Sequence, residues 1–213
     1  MALSQRLFDA ILDGKAQLAQ SIVEEEVKGG VEPMALISET MIPAMDEVGR
    51  LFRDEEYFVP ELMLSGRAMK AAMEPLRPLL AAAGAQPIGV VVVGTVKGDL
   101  HDIGKNLVIS MLEGAGFRVV DVGTDVAPDK FVEAIREHNP QIVCLSALLT
   151  VTMTAMKSII DAIKVAGLRQ RVKILVGGAP LSERYAMDIG ADGYGATATD
   201  AVALARRQVE LSR

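Results

Sequence analysis

Asp99 and His101 stand one residue apart in Gly98-Asp99-Leu100-His101-Asp102-Ile103-Gly104-Lys105-Asn106, the stretch of this chain with the most chemistry per residue. A carboxylate beside an imidazole fixes the ring's tautomer and orientation, the usual arrangement around a metal-ligating histidine. Gly104 lets the backbone pass close to something bulky. Plainer readings of the same residues have Asp99 capping the helix that follows and His101 lying exposed in a loop. A phosphate loop does not fit, because the GxGxxG and GxxxxGK[ST] spacings are both missing. A metal-dependent phosphohydrolase built on His101-Asp102 lacks further ligands. The one other histidine, His138, lies in Glu137-His138-Asn139-Pro140, a pattern typical of a helix end.

The elements around this stretch must position it. Ile88–Val93 reads as a buried strand, and Leu107 to Gly114 has the apolar spacing of a helix, so residues 98–106 form a strand-to-helix turn. Further strand-like runs are expected at Arg118–Val122, Ile142–Ser146, Lys173–Val176 and, weakly, Gly193–Gly195. Helical stretches are expected at Ile103–Glu113, Asp129–His138, Thr154–Val165, Ser182–Ile189 and Thr199–Leu211. This alternation predicts a doubly wound, flavodoxin- or Rossmann-like parallel sheet of five strands, with its ligand outside the carboxyl ends of the strands. Those ends carry Asp99 and His101, then the hydroxyl-bearing turn Ser146 to Thr152, then Gly177-Gly178-Ala179-Pro180. Together they would surround one crevice with a histidine, a row of hydroxyls and a glycine-lined groove.

Residues 1–84 read as helices. Ser4 is a candidate N-cap for a helix reaching Leu12 and ended by Gly14; Lys15 to Lys28 is stopped by Gly29-Gly30. Pro33 fits the first turn of a third helix through Leu36, Ile37, Met41, Met45 and Val48, which Pro43 should kink or split. After a polar connection at residues 54–58, Pro60 opens a fourth helix through Met63, Met69, Met73 and Leu76. The expectation is a four-helix bundle with methionines as adaptable core filler. Residues 81–87 read as a linker and candidate hinge, which sets the expected domains at 1–84 and 85–213.

Composition narrows the class. With 213 residues, half of them hydrophobic, the chain can build a substantial core. A net charge of −6 and no tryptophan argue against a nucleic-acid face. No apolar run is long enough to span a bilayer, and the amino terminus lacks the apolar core of a signal peptide. Cys144, the one cysteine, falls in a buried strand and allows no intrachain disulfide. A cytoplasmic protein is expected, with neither nucleic acid nor membrane as partner.

In its motifs the chain resembles the cobalamin-binding module shared by methionine synthase and the corrinoid proteins of methanol, methylamine and aryl-ether methyl-transfer systems. The pattern DxHxxG, SxL, GG stands here as Asp99-x-His101-x-x-Gly104, Ser146-x-Leu148 and Gly177-Gly178. Between Gly104 and Ser146 lie 41 residues, and 28 between Leu148 and Gly177. The helical half resembles the family's cap through Met45 to Phe52 and Tyr57 to Leu62. The resemblance implies cobalamin or a related corrinoid, methylcobalamin in the loaded state, with His101 as lower axial cobalt ligand in place of the cofactor's own base. It implies that Asp99 holds the other imidazole nitrogen and that Thr152, a threonine where methionine synthase has serine, extends the relay. Ser146 and Thr150 would contact the nucleotide tail, for which Gly177 and Gly178 leave room; Leu148 completes the SxL motif. Gly98, Leu100 and Asp102 would approach the corrin. Phe52 and Val59 would cover its upper face, with valine where a leucine is expected.

The function so implied is that of a non-autonomous methyl-carrier subunit, with catalytic roles for His101, Asp99 and Thr152. It would accept a methyl group on cobalt from a substrate-specific methyltransferase and pass it, through a second methyltransferase, to tetrahydrofolate, coenzyme M or another thiol. A reductive activase is a further implied partner. The alternatives are a cobalamin-binding sensor or regulator, the small subunit of an adenosylcobalamin-dependent mutase, and a flavodoxin-like domain without a corrinoid.

Overall fold

The computed structural model describes residues 3–83 and 87–211; three positions of the expected linker, 84–86, lie outside the described residues. The chain divides into two compact units, Met1–Pro87 with Glu113–Gly116, and Ile88–Leu112 with Phe117–Arg213.

The first unit is built from helices α1 (Gln5–Leu12), α2 (Ala16–Lys28), α3 (Pro33–Leu36), α4 (Ile42–Arg53), α5 (Val59–Met73) and α6 (Arg77–Ala82). Ser4 caps α1 by accepting from the Leu7 N–H, and Gly29 closes α2. Pro43 has the effect its chemistry demands. It offers no N–H to Glu39, and the chain widens into a π-turn at Ile37–Met41 where the Ile42 N–H bonds to the Ile37 carbonyl. The helix expected to open at Pro60, α5, stops at Met73 and does not reach Leu76. Pro75 cannot donate to Ala71, and the chain restarts as α6 with Pro78 in its first turn. Met41, Met45 and Met69 are buried, as expected of core filler. The buried hydroxyls are satisfied: Thr40 accepts from the Ser4 N–H, and Ser65 donates to the Leu12 carbonyl.

The second unit is a five-stranded parallel sheet in the order β2-β1-β3-β4-β5: β1 Val90–Thr95, β2 Arg118–Asp121, β3 Ile142–Ser146, β4 Lys173–Gly177 and β5 Gly193–Gly195. Helices α7 (Ile103–Gly114), α8 (Pro128–His138), α9 (Thr150–Met153), α10 (Ala155–Val165), α11 (Glu183–Ile189) and α12 (Ala198–Glu210) connect and follow the strands. Val92, Val143, Ile174 and Phe131 centre its apolar core, which Ile159 and Ile163 of α10 join. β1 starts and ends later than the hydrophobic run suggests. Gly94 does not stop it: a Cβ there would collide with Val122 and Phe131, so glycine is needed for close packing and the strand continues to Thr95. The turn expected from Ser146 to Thr152 is partly helical, since α9 begins at Thr150.

This strand order reverses direction at β1, with β2 on one side and β3 on the other, the place where open parallel sheets take ligands. Register puts Thr95, Ser146, Gly177 and Gly195 in one row across the carboxyl edge. Among the described residues, no helix is long and apolar enough to cross a membrane.

Candidate functional site

The loop leaving β1 carries Gly98 to Asp102, and the loop leaving β3 carries Ala147 to Leu149 with α9 behind it. Asp99 joins them. Its side chain is fully buried, and both carboxylate oxygens are saturated. Oδ1 accepts from the His101 N–H at 3.0 Å and pairs with His101 Nδ1 at 2.7 Å. Oδ2 accepts from the Leu148 N–H at 2.8 Å and the Thr152 hydroxyl at 2.6 Å. Burial alone would push this carboxyl up. The hydrogen bonds from Thr152, Leu148 and His101 outweigh it and hold Asp99 well below the usual carboxylate range. Asp99 is therefore an ionised acceptor, and it does not cap α7.

This arrangement decides which nitrogen of His101 is free. Nδ1 is committed to Asp99, so Nε2 is the one available to a ligand, while the ring itself is half exposed (51%). Thr95, also fully buried, donates its hydroxyl to the His101 carbonyl at 2.9 Å. Both main-chain polar groups of His101 are thus fixed along with one face of its chemistry. Thr152 additionally donates toward the Leu149 carbonyl at 3.0 Å, so its hydroxyl sits between two acceptors and its methyl does not displace it.

The two loops also carry exposed apolar side chains. Leu100 and Val151 are 73% and 74% exposed, and Ile103, Leu148 and Leu149 are exposed as well, all on the two loops that Asp99 joins or on the helices directly following them. Exposed apolar side chains on loops tied together by one buried carboxylate are consistent with a face that takes a ligand. Gly104 adds to this: a Cβ there would meet nothing within 4 Å, so the chain's own packing does not require glycine. Among the described residues, no three His, Cys, Asp or Glu side chains gather where they could hold a metal ion. A metal held by His101 must then bring most of its coordination with it. A corrinoid does so, with four nitrogens in its ring, and these residues fit one: a single oriented nitrogen on a loop that bears exposed apolar side chains.

The other expected site residues divide. Gly98 has φ +85° and Asp102 is exposed, bonded through its carboxylate to Asn106. Ser146 is half-buried at the end of β3 and Thr150 is exposed at the start of α9, close in sequence to the Asp99 contacts. Gly177 and Gly178 are glycines for the chain's own reasons. A Cβ on Gly178, where φ is +133°, would overlap the Ala147 carbonyl oxygen, and one on Gly177 would crowd that of Gly195. Phe52, half-buried in α4, and Val59, exposed at the start of α5, belong to the helical unit and are not part of the Asp99 network. Two residues not singled out from the sequence touch the loop, Thr95 and Asp125, and Lys105 at the start of α7 pairs with Asp121 at the end of β2. Thr95 could have been noticed as the one hydroxyl in an otherwise apolar strand.

Comparison with known proteins agrees with this chemistry. Residues 89–203 match the model of a B12 binding domain, and residues 3–77 match a second model also described as a B12 binding domain. Over 200 residues the chain is 42% identical to trimethylamine corrinoid protein 1 of Methanosarcina acetivorans, covering 93% of each. It is 42% identical over 205 residues to the dimethylamine corrinoid protein of Methanosarcina barkeri, covering 96% of each. Among solved structures it is similar to a chain of the methanol:cobalamin methyltransferase complex MtaBC from Methanosarcina barkeri, with a TM-score of 0.86 and 29% identity, covering 96% of this chain and 78% of that one. The α/β sheet, the paired B12-binding models and the corrinoid relatives converge, and the chain belongs to the B12-binding family of corrinoid proteins.

Proposed function

We propose that the chain is the methyl-carrying corrinoid subunit of a methyltransferase system, with His101 as the axial ligand to cobalt. The observation that carries this reading is the saturated Asp99 carboxylate, which pins His101 Nδ1 at 2.7 Å and so presents Nε2 outward. When bound, the corrinoid supplies the cobalt that takes up a methyl group and gives it up again.

The chain's residues do the rest. Asp99 orients the imidazole, and Thr152 and Leu148 keep Asp99 ionised and aligned. Leu100, Ile103, Leu148 and Val151 would exclude water from the macrocycle's lower face. Gly104 leaves space for it, and Ser146 and Thr150 would bind the nucleotide tail. Phe52 and Val59 of the helical unit would be further corrinoid-contacting residues. Residues 1–84 would act as cap and 85–213 as the corrinoid-binding domain.

The partner that delivers the methyl group is a substrate-specific methyltransferase, as supported by the MtaBC relative. A second methyltransferase would move it to tetrahydrofolate or a thiol, with a reductive activase restoring the cofactor after oxidation. The relatives' names support a methylated amine as the source. The cytoplasm is the compartment where such partners would meet it.

The test is His101→Ala in protein reconstituted with cobinamide, which has no nucleotide base of its own to take the place of the imidazole. The expected result is loss of the axial-nitrogen signature in the visible spectrum and in the paramagnetic resonance of the reduced Co(II) form. An unchanged signature overturns the assignment.

A further inference from the structure

Asp99 and Thr152 explain how the imidazole is held, and Thr95 explains its carbonyl. The two ends of the histidine loop are held by a different segment, the one that leaves the edge strand β2. At the near end, Asp125 Oδ1 accepts from the Gly98 N–H at 2.8 Å, and the Asp125 N–H donates to the Asp99 carbonyl at 2.9 Å. A single residue thus grips both neighbours at the loop's entry. To do so it adopts φ +54°, a left-handed conformation that is unfavourable for most side chains and that Asp and Asn tolerate best. The Gly98 N–H and the Lys97 ammonium hold its carboxyl below the usual range, so it is ionised in place.

At the far end, Lys105 in the first turn of α7 is 3% exposed. Its ammonium lies 2.6 Å from Asp121 Oδ2 and 3.0 Å from Asn106 Oδ1. Asp121, the last residue of β2, also accepts the Gly123 N–H at 2.9 Å. A buried ammonium without its partner is costly, so this pair fixes the loop's exit as Asp125 fixes its entry.

We infer that Asp125 is a positioning residue for His101. It acts through Gly98 and Asp99, and with the Lys105–Asp121 pair it sets how far the imidazole can swing as the axial bond is made and released. The inference rests on the reading of His101 as the cobalt ligand.

The experiment uses the full chain reconstituted with cobinamide, which has no nucleotide base of its own, and compares Asp125→Gly with Asp125→Asn. Both residues accept a positive φ, but only asparagine keeps an oxygen for the Gly98 N–H. Loss of the Lys97 ion pair is common to both and small, since the pair is exposed. Asp125→Gly is expected to weaken cofactor binding about 10-fold, in the range known for groups that orient metal ligands. It should also lower the fraction showing the axial-nitrogen signature. Asp125→Asn should restore both. In the cofactor-free chain, the Gly98 amide should exchange faster in Asp125→Gly than in Asp125→Asn, a local readout that does not depend on the metal. Wild-type binding and signature in Asp125→Gly overturn the inference, as does equal damage in the two variants. His101→Ala, run alongside, separates the two claims. A signature that survives His101→Ala defeats the ligand reading, whereas one lost there and intact in Asp125→Gly defeats the role of Asp125 alone.

Discussion

The chain has two histidines, each next to a carboxylate and each at one end of a helix, and their surroundings differ in nearly every other respect. His101 precedes α7, and its Nδ1 lies 2.7 Å from an Asp99 that is fully buried and holds four donors. His138 ends α8, and its Nε2 lies 3.7 Å from Glu137, whose side chain is 74% exposed. What sets the proposed ligand histidine apart is less the adjacent carboxylate than the rigidity of that carboxylate. Asp99 cannot move without abandoning Leu148 and Thr152. Glu137 can swing into water at little cost, as exposed pairs do.

The sharpest way to break this contrast is to remove the charge while keeping the shape. In Asp99→Asn one carboxylate oxygen becomes an NH2 group. Both oxygens face two donors each, so either orientation sets a donor against donors. Each displaced buried donor costs about 1–3 kcal/mol, and cofactor affinity should fall by about 10–100-fold. Chemical denaturation and titration with hydroxocobalamin measure the two effects. Next in size is Thr152→Val, which preserves volume and removes one hydrogen bond to a charged group, a loss of about 1.5–3 kcal/mol by denaturation. Thr152→Ser keeps the hydroxyl and should retain most of that stability; if serine and valine cost the same, the bond to Asp99 contributes nothing.

How much of this was legible in the sequence follows from the same atoms. The strand–helix alternation and the motifs at three strand ends were readable because apolar period and glycine placement are written in side chains. β3 and β5 have the expected limits. Ends that depend on packing were not readable, as with Gly94, which continues β1 because Phe131 and Val122 lie against it. Within the site, the Asp99–His101 pair and the Thr152 hydroxyl could be proposed from residue types. The Leu148 N–H could not, since every residue but proline has one and only the fold aims it. Asp125 was hidden for a similar reason: its grip on Gly98 needs a left-handed backbone 27 residues further along the chain.

A smaller effect distinguishes the two carboxylates by acid. The folded protein binds a proton at Asp99 less readily than the unfolded chain does, for which about 3.9 is the ordinary value. The stabilisation from Asp99 is therefore present in full above that value and is lost as pH falls through the lower folded one. In cofactor-free protein, unfolding free energy should decline across this acid range in the wild type and less steeply in Asp99→Asn.

The smallest expected effect is at the other histidine, where the comparison is most exposed to failure. Glu137→Gln removes the charge facing His138 without altering length, and His138 keeps its place at the end of α8, where Asn139 in a left-handed conformation closes the helix by a main-chain bond to Ile135. Nothing in that closure uses the Glu137 carboxylate. Substitutions at such surface positions change stability by about 0.5 kcal/mol or less, so denaturation curves of Glu137→Gln and wild type should nearly superimpose. Hydroxocobalamin affinity and the axial-nitrogen signature should not move. A measurable loss of either would mean that an exposed, mobile carboxylate can do for a histidine what the buried one does, and the argument from Asp99's four fixed donors would lose its force.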